Sequence, residues 1–109
     1  MESITLYHAE NDEIKIDICA YFEGELLVID GYDIGKRVEE YWGDSDYEYI
    51  VKIPIEGVNF LYNHFTLEMG NRKGLLDSQA ATFNTNSAYS NIRSLMEDNG
   101  IKCEGFTWA

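Results

Sequence analysis

The chain has one proline, two cysteines, two histidines and only eight lysines and arginines in 109 residues, and each shortage excludes something. One proline leaves no proline-rich linker, and the rest of the composition is that of a globular chain long enough for one hydrophobic core but not two. Residues 1–109 therefore read as a single domain. Cys19 and Cys103 lie far apart, and two isolated thiols make neither a zinc cluster nor a disulfide framework. Apolar runs such as Leu26 to Ile29 fall far short of the roughly 20 residues that a membrane span requires. Met1, Glu2 and Ser3 lead directly into an alternating segment with no basic or apolar leader, which predicts a cytoplasmic protein.

The usual materials of catalysis are also scarce. His8 and His64 have no cysteine or histidine nearby in sequence to complete a nucleophilic pair or a metal set. His8 ends a predicted edge strand, and His64 stands one helical turn from Phe60. Gly31 and Gly35 flank a predicted short helix, and no lysine follows them at the spacing of a phosphate-binding loop. The carboxylates of Asp44-Ser45-Asp46-Tyr47-Glu48 resemble a calcium loop only at its start, without the central glycine or the distant bidentate glutamate. Twenty acids could always supply a pair for glycoside hydrolysis, but so small a chain offers little wall for a sugar cleft. The expectation is a binding protein with no enzymatic activity, no cofactor and no metal.

What is abundant is acid. Twenty aspartates and glutamates against eight bases leave a formal charge of -12, beyond what solubility demands of a small domain. Such a surface repels nucleic acid and anionic membranes and accelerates encounter with a basic protein. Solubility alone is the other reading of the charge. The acids are densest between Glu23 and Glu48, where Tyr32, Tyr41, Trp42 and Tyr47 interleave with them. Aromatics supply contact energy at interfaces and carboxylates select a basic partner. The candidate partner-binding residues are accordingly Asp30, Tyr32, Asp33, Glu39, Glu40, Trp42, Asp44 and Asp46, with Tyr32 and Trp42 as anchors at predicted loop positions. Tyr47 and Tyr49 read as inward-facing core.

Periodicity predicts an α+β fold: a mostly antiparallel sheet of about five strands with two to three helices packed on one face. Ile4, Leu6 and His8 alternate with Ser3, Thr5 and Tyr7. Ile14, Ile16, Ile18, Ala20 and Phe22 then form one face of a second strand, with Lys15, Asp17, Cys19 and Tyr21 on the other. Glu23-Gly24-Glu25 turns into Leu26 to Ile29, apolar on both faces as an interior strand should be. Ile34, Val38 and Tyr41 follow helical spacing, with Asp33 as cap, a left-handed turn at Gly31 and Gly43 as the stop. Alternation returns from Asp46 to Ile53, and Pro54 closes that strand. Val58, Leu61, Tyr62, Phe65 and Met69 predict an amphipathic helix ended by Gly70. Asn71 to Thr85 reads mostly as loop. Asn86 or Ser87 caps a last helix carrying Tyr89, Ile92 and Met96, stopped at Asn99-Gly100, and Ile101 to Trp108 closes the chain as a strand.

The stretch Ile29-Asp30-Gly31-Tyr32-Asp33-Ile34-Gly35, followed by Val38-Glu39-Glu40-Tyr41-Trp42-Gly43-Asp44-Ser45-Asp46-Tyr47-Glu48-Tyr49, resembles a pattern of small acidic bacterial proteins. They are similar to immunity proteins of polymorphic and contact-dependent toxin systems. The likeness covers about the middle fifth of the chain and is weaker at Gly105-Phe106-Thr107-Trp108. It implies a cytoplasmic inhibitor that binds a cognate toxin domain, commonly a nuclease, and blocks its active site or substrate path; it implies no catalytic residues. The partner would be a basic protein, and the inhibitor a monomer or weak dimer. The alternative is an acidic secretion chaperone or adaptor that holds a protein segment.

Overall fold

The computed structural model describes residues 3–35 and 46–108. Five strands form one antiparallel sheet in the order of the sequence: β1 (Ser3–Glu10), β2 (Ile14–Glu23), β3 (Leu26–Gly35), β4 (Asp46–Ile53) and β5 (Glu104–Trp108). Among the described residues three helices, α1 (Ile55–His64), α2 (Arg72–Thr82) and α3 (Ala88–Asp98), pack against it, making the α+β arrangement that the periodicity predicts. No helix among the described residues is long and apolar enough to cross a membrane.

Local chemistry explains the connections. Between β1 and β2, the Asn11 side chain accepts hydrogen bonds from the backbone of Glu13 and Ile14 at 2.8 and 3.0 Å, a side-chain mimic of a turn. Between β2 and β3, Gly24 takes φ +62°, the left-handed conformation that a two-residue hairpin loop needs at its first position. Arg72, at the start of α2, donates to the Gly24 carbonyl at 2.8 Å and lies 4.4 Å over the Phe22 ring, so this helix is tied to the hairpin.

One sheet face is the floor of the core. Ile18, Ala20 and Phe22 of β2 meet Leu27 and Ile29 of β3 and Val51 and Ile53 of β4, all buried. The helices contribute Val58, Leu61, Leu75, Leu76, Ile92 and Met96. Gly57 lets α1 approach: a Cβ there would lie 2.5 Å from a methyl of Ile53.

Six expectations are corrected. In β1, a register shift between Thr5 and Tyr7 reverses the alternation, so Tyr7 and Ala9 lie opposite the inward Ile18 and Ile16, while His8 lies opposite Asp17 on the other face. The helix expected from Asp33 does not begin there, because β3 runs on to Gly35; Gly31 is strand and not a left-handed turn, and Tyr32 is strand and not loop. Val38, Tyr41 and Gly43 lie outside the described residues.

Helix α1 ends at His64, short of Met69, which is 58% exposed. Thr66 adopts φ +57°, its N–H bonds the Asn63 carbonyl and the Leu67 N–H bonds the Tyr62 carbonyl, the paired pattern of a Schellman stop. The stretch read as loop after Asn71 contains helix α2. Asn71 caps it by accepting from the Gly74 N–H at 3.1 Å, and Leu75, Leu76, Gln79 and Phe83 form its buried stripe. By contrast, α3 ends as predicted, with Gly100 at φ +71° and the same two Schellman bonds, Gly100 to Glu97 and Ile101 to Met96.

Candidate functional site

With the core on one face of the sheet, the opposite face is left to alternate residues of the strands. Register assigns them in rows. Asp17, Tyr32 and Glu48 lie across β2, β3 and β4; Cys19, Asp30, Ile50 and Phe106 form the next row, reaching β5; Tyr21, Val28, Lys52 and Glu104 form the third. An apolar and aromatic centre thus sits among carboxylates. Phe106 is 42% exposed, and with Tyr21, Ile50, Glu23 and Lys52 it lines a shallow hollow of about 300 Å³.

The charges at the margins are partly paired. Lys52 reaches Glu23 at 3.2 Å and Lys15 reaches Asp17 at 3.9 Å. His8 Nδ1 meets Asp17 Oδ1, and its other nitrogen lies 3.9 Å from Glu10. Asp30 is half-buried in the middle. Loss of hydration, and then the Glu48 carboxylate beside it, pushes its carboxyl up to about 6. Cys19 is pushed up by burial and then by Asp30 and Asp17; Tyr21 is pushed up by burial and then by Asp30 and other acids. In each of the three, loss of hydration comes first and neighbouring acids add to it, so only that second, smaller part reports negative charge on this face.

Of the candidate residues from the sequence, Asp30, Tyr32 and Asp33 are divided between the two faces of the sheet. Asp30 and Tyr32 lie on this face, where Val28 is fully buried. Asp33 lies on the other face, where it accepts a hydrogen bond from the Tyr49 hydroxyl at 2.9 Å; burial pushes its carboxyl up and this bond pulls it back. Asp46 begins β4, and Glu39, Glu40, Trp42 and Asp44 lie outside the described residues. Tyr21, Glu48, Ile50 and Phe106 are additions. Their signal was the period-two alternation of three separate strands, which becomes a surface only once the strands are paired.

On the helix face, Tyr49 and Tyr89 meet edge to face at 4.8 Å, and Tyr47 is 5.7 Å from Tyr49. The Tyr49 ring rests on Gly31, where a Cβ would come within 1.8 Å of it. His64, flanked by Phe60 and Phe65, is held by ring contacts at 5.6 and 5.0 Å. Both cysteines are free thiols, and the described residues contain no group of three or more His, Cys, Asp or Glu side chains arranged to hold a metal ion.

No protein-family model, curated protein or solved structure matches this chain.

Proposed function

We propose that this protein is an immunity-type inhibitor that binds a basic bacterial toxin domain, of nuclease type, and blocks it by stoichiometric occlusion in the cytoplasm. The observation that carries the reading is the sheet face opposite the core, where Asp17, Asp30 and Glu48 share adjacent rows with Tyr21, Ile50 and Phe106 on the side that no described helix covers. A strand spacing of about 4.8 Å and a rise of about 3.3 Å per residue make this face roughly 20 by 30 Å, the order of one side of a standard protein interface. The apolar centre supplies contact energy and the acids supply steering and charge-assisted bonds to lysine and arginine. A toxin domain that binds a polyanionic substrate has a basic groove, and a rigid acidic sheet fills such a groove by charge and shape.

The test is capture of a toxin domain at low and moderate salt, followed by inhibition titration against its nuclease activity. The expected result is a basic domain, released as salt rises and silenced at one inhibitor per toxin. Asp30→Lys with Glu48→Lys is expected to slow association at least tenfold and to flatten its salt dependence, with little change in the circular dichroism spectrum. Unaltered association kinetics in that double variant would remove this face from the mechanism. Recovery of an extended protein segment bound to a dimer would instead establish the adaptor reading.

A further inference from the structure

On the helix side of the sheet, α3, β4 and β5 border an open cleft of about 330 Å³. Its walls are the rings of Tyr47, Tyr49 and Tyr89, and its polar lining is Asn86, Ser90, Thr107 and Arg93. Three other hollows among the described residues each include a carboxylate: Glu97 in one, which Arg93 also lines, Glu104 in another and Glu23 in the third. Among the described residues, this cleft is lined by a cation and no carboxylate.

The cation is also placed. Arg93 Nη1 lies 3.4 Å from the Tyr89 hydroxyl, and its guanidinium carbon is 5.7 Å from the Tyr89 ring centre. Gly105 leaves room for it, since a Cβ at that position would meet three guanidinium atoms at 3.1 to 3.3 Å. Among the described residues no carboxylate pairs with Arg93, whereas Lys15 and Lys52 each have one. Asp33 shares the helix face of the sheet, but its carboxylate is engaged by the Tyr49 hydroxyl.

From this geometry we infer that the cleft binds a small aromatic oxyanion, an aryl carboxylate or aryl phosphate, with Arg93 holding the anionic group and the tyrosine rings holding the planar part. A guanidinium offers a flat fork of donors matched to carboxylate and phosphate oxygens. Ser90 and Thr107 add hydroxyl donors, and the three tyrosine rings form the aromatic wall against which the planar part would pack. The chain's overall negative charge does not prevent this. At physiological salt, fields decay over about 8 Å, and the acids of the open face lie across the sheet. The inference is independent of the inhibitor reading.

The experiment is titration of the full chain with phenyl phosphate, benzoate and inorganic phosphate, followed by amide and arginine side-chain resonances. Saturable shifts at Tyr89, Ser90, Thr107 and the Arg93 side chain are expected with at least one aryl probe, and weaker binding with inorganic phosphate. Arg93→Gln is expected to weaken binding tenfold or more, and Tyr89→Phe, which keeps the ring, severalfold. Resonances far from α3 serve as the folding control. Non-saturating shifts with both aryl probes, equal affinity for inorganic phosphate, or affinity unchanged in a folded Arg93→Gln would each overturn the assignment.

Discussion

Gln79 offers the sharpest test of the core. It is fully buried in the stripe that α2 presents to the sheet, and neither its amide nitrogen nor its amide oxygen has a hydrogen-bond partner among the described residues. A buried amide without partners costs about 1–3 kcal/mol in proteins. Methionine has a similar unbranched length and a similar helix propensity, so Gln79→Met removes that cost without opening a cavity or weakening the helix. The expected gain is about 1–2 kcal/mol, which for a domain of this size raises Tm by roughly 5–10 °C. Urea unfolding measures it as a higher midpoint at constant slope, the slope confirming that the native and denatured states are otherwise alike. Gln79→Glu is the contrasting variant: it buries a charge, and its loss of stability at pH 7 should diminish as acid protonates it. A Gln79→Met midpoint at or below that of the parent would refute the reasoning, because it would mean the amide is satisfied in solution.

Two further outcomes follow from backbone strain and from burial of charge. Thr66→Gly is expected to stabilise by about 0.5–1 kcal/mol, since a β-branched residue at φ +57° carries a strain that glycine does not, partly offset by glycine's greater freedom when unfolded; thermal unfolding reads it directly. For Asp30, the folded carboxyl near 6 lies above its unfolded value near 3.9, so the folded chain holds the proton more tightly and stability falls as pH rises through that window. Asp30→Asn should therefore be more stable than the parent above pH 7 and lose the advantage by pH 3.5, as measured by denaturant midpoints across that range.

How much could be read from sequence depended on whether a signal was local. The β2–β3 hairpin was legible because strict alternation and Gly24 both lie within a dozen residues, and the end of α3 was legible because glycine stands at its left-handed position. The end of α1 uses the same Schellman bonds with Thr66 at that position, so the compositional mark was missing. Helix α2 was hidden because a glutamine occupies the centre of its buried stripe and small polar residues surround it. Asp33 looks like a helix cap in isolation; pairing of β3 with both β2 and β4 overrides that preference. For the candidate site, Asp30 and Tyr32 were visible as members of an acid-rich stretch. Tyr21, Glu48 and Phe106 come from three other strands, and only long-range pairing makes them neighbours.

The contact between Tyr49 and Gly31 has a role in how β3 and β4 find each other. The β2–β3 pair is aligned by its two-residue turn, but β3 and β4 are joined through residues 36–45, a length that does not dictate pairing. Moving β4 by two residues along β3 would keep every side chain on its proper face, so hydrophobic pattern alone tolerates the error. It would also carry the Tyr49 ring from Gly31 to Ile29 or Asp33, where a Cβ occupies the space the ring requires. An absent side chain thus works as a keyhole, admitting one alignment of the two strands and rejecting its nearest competitors.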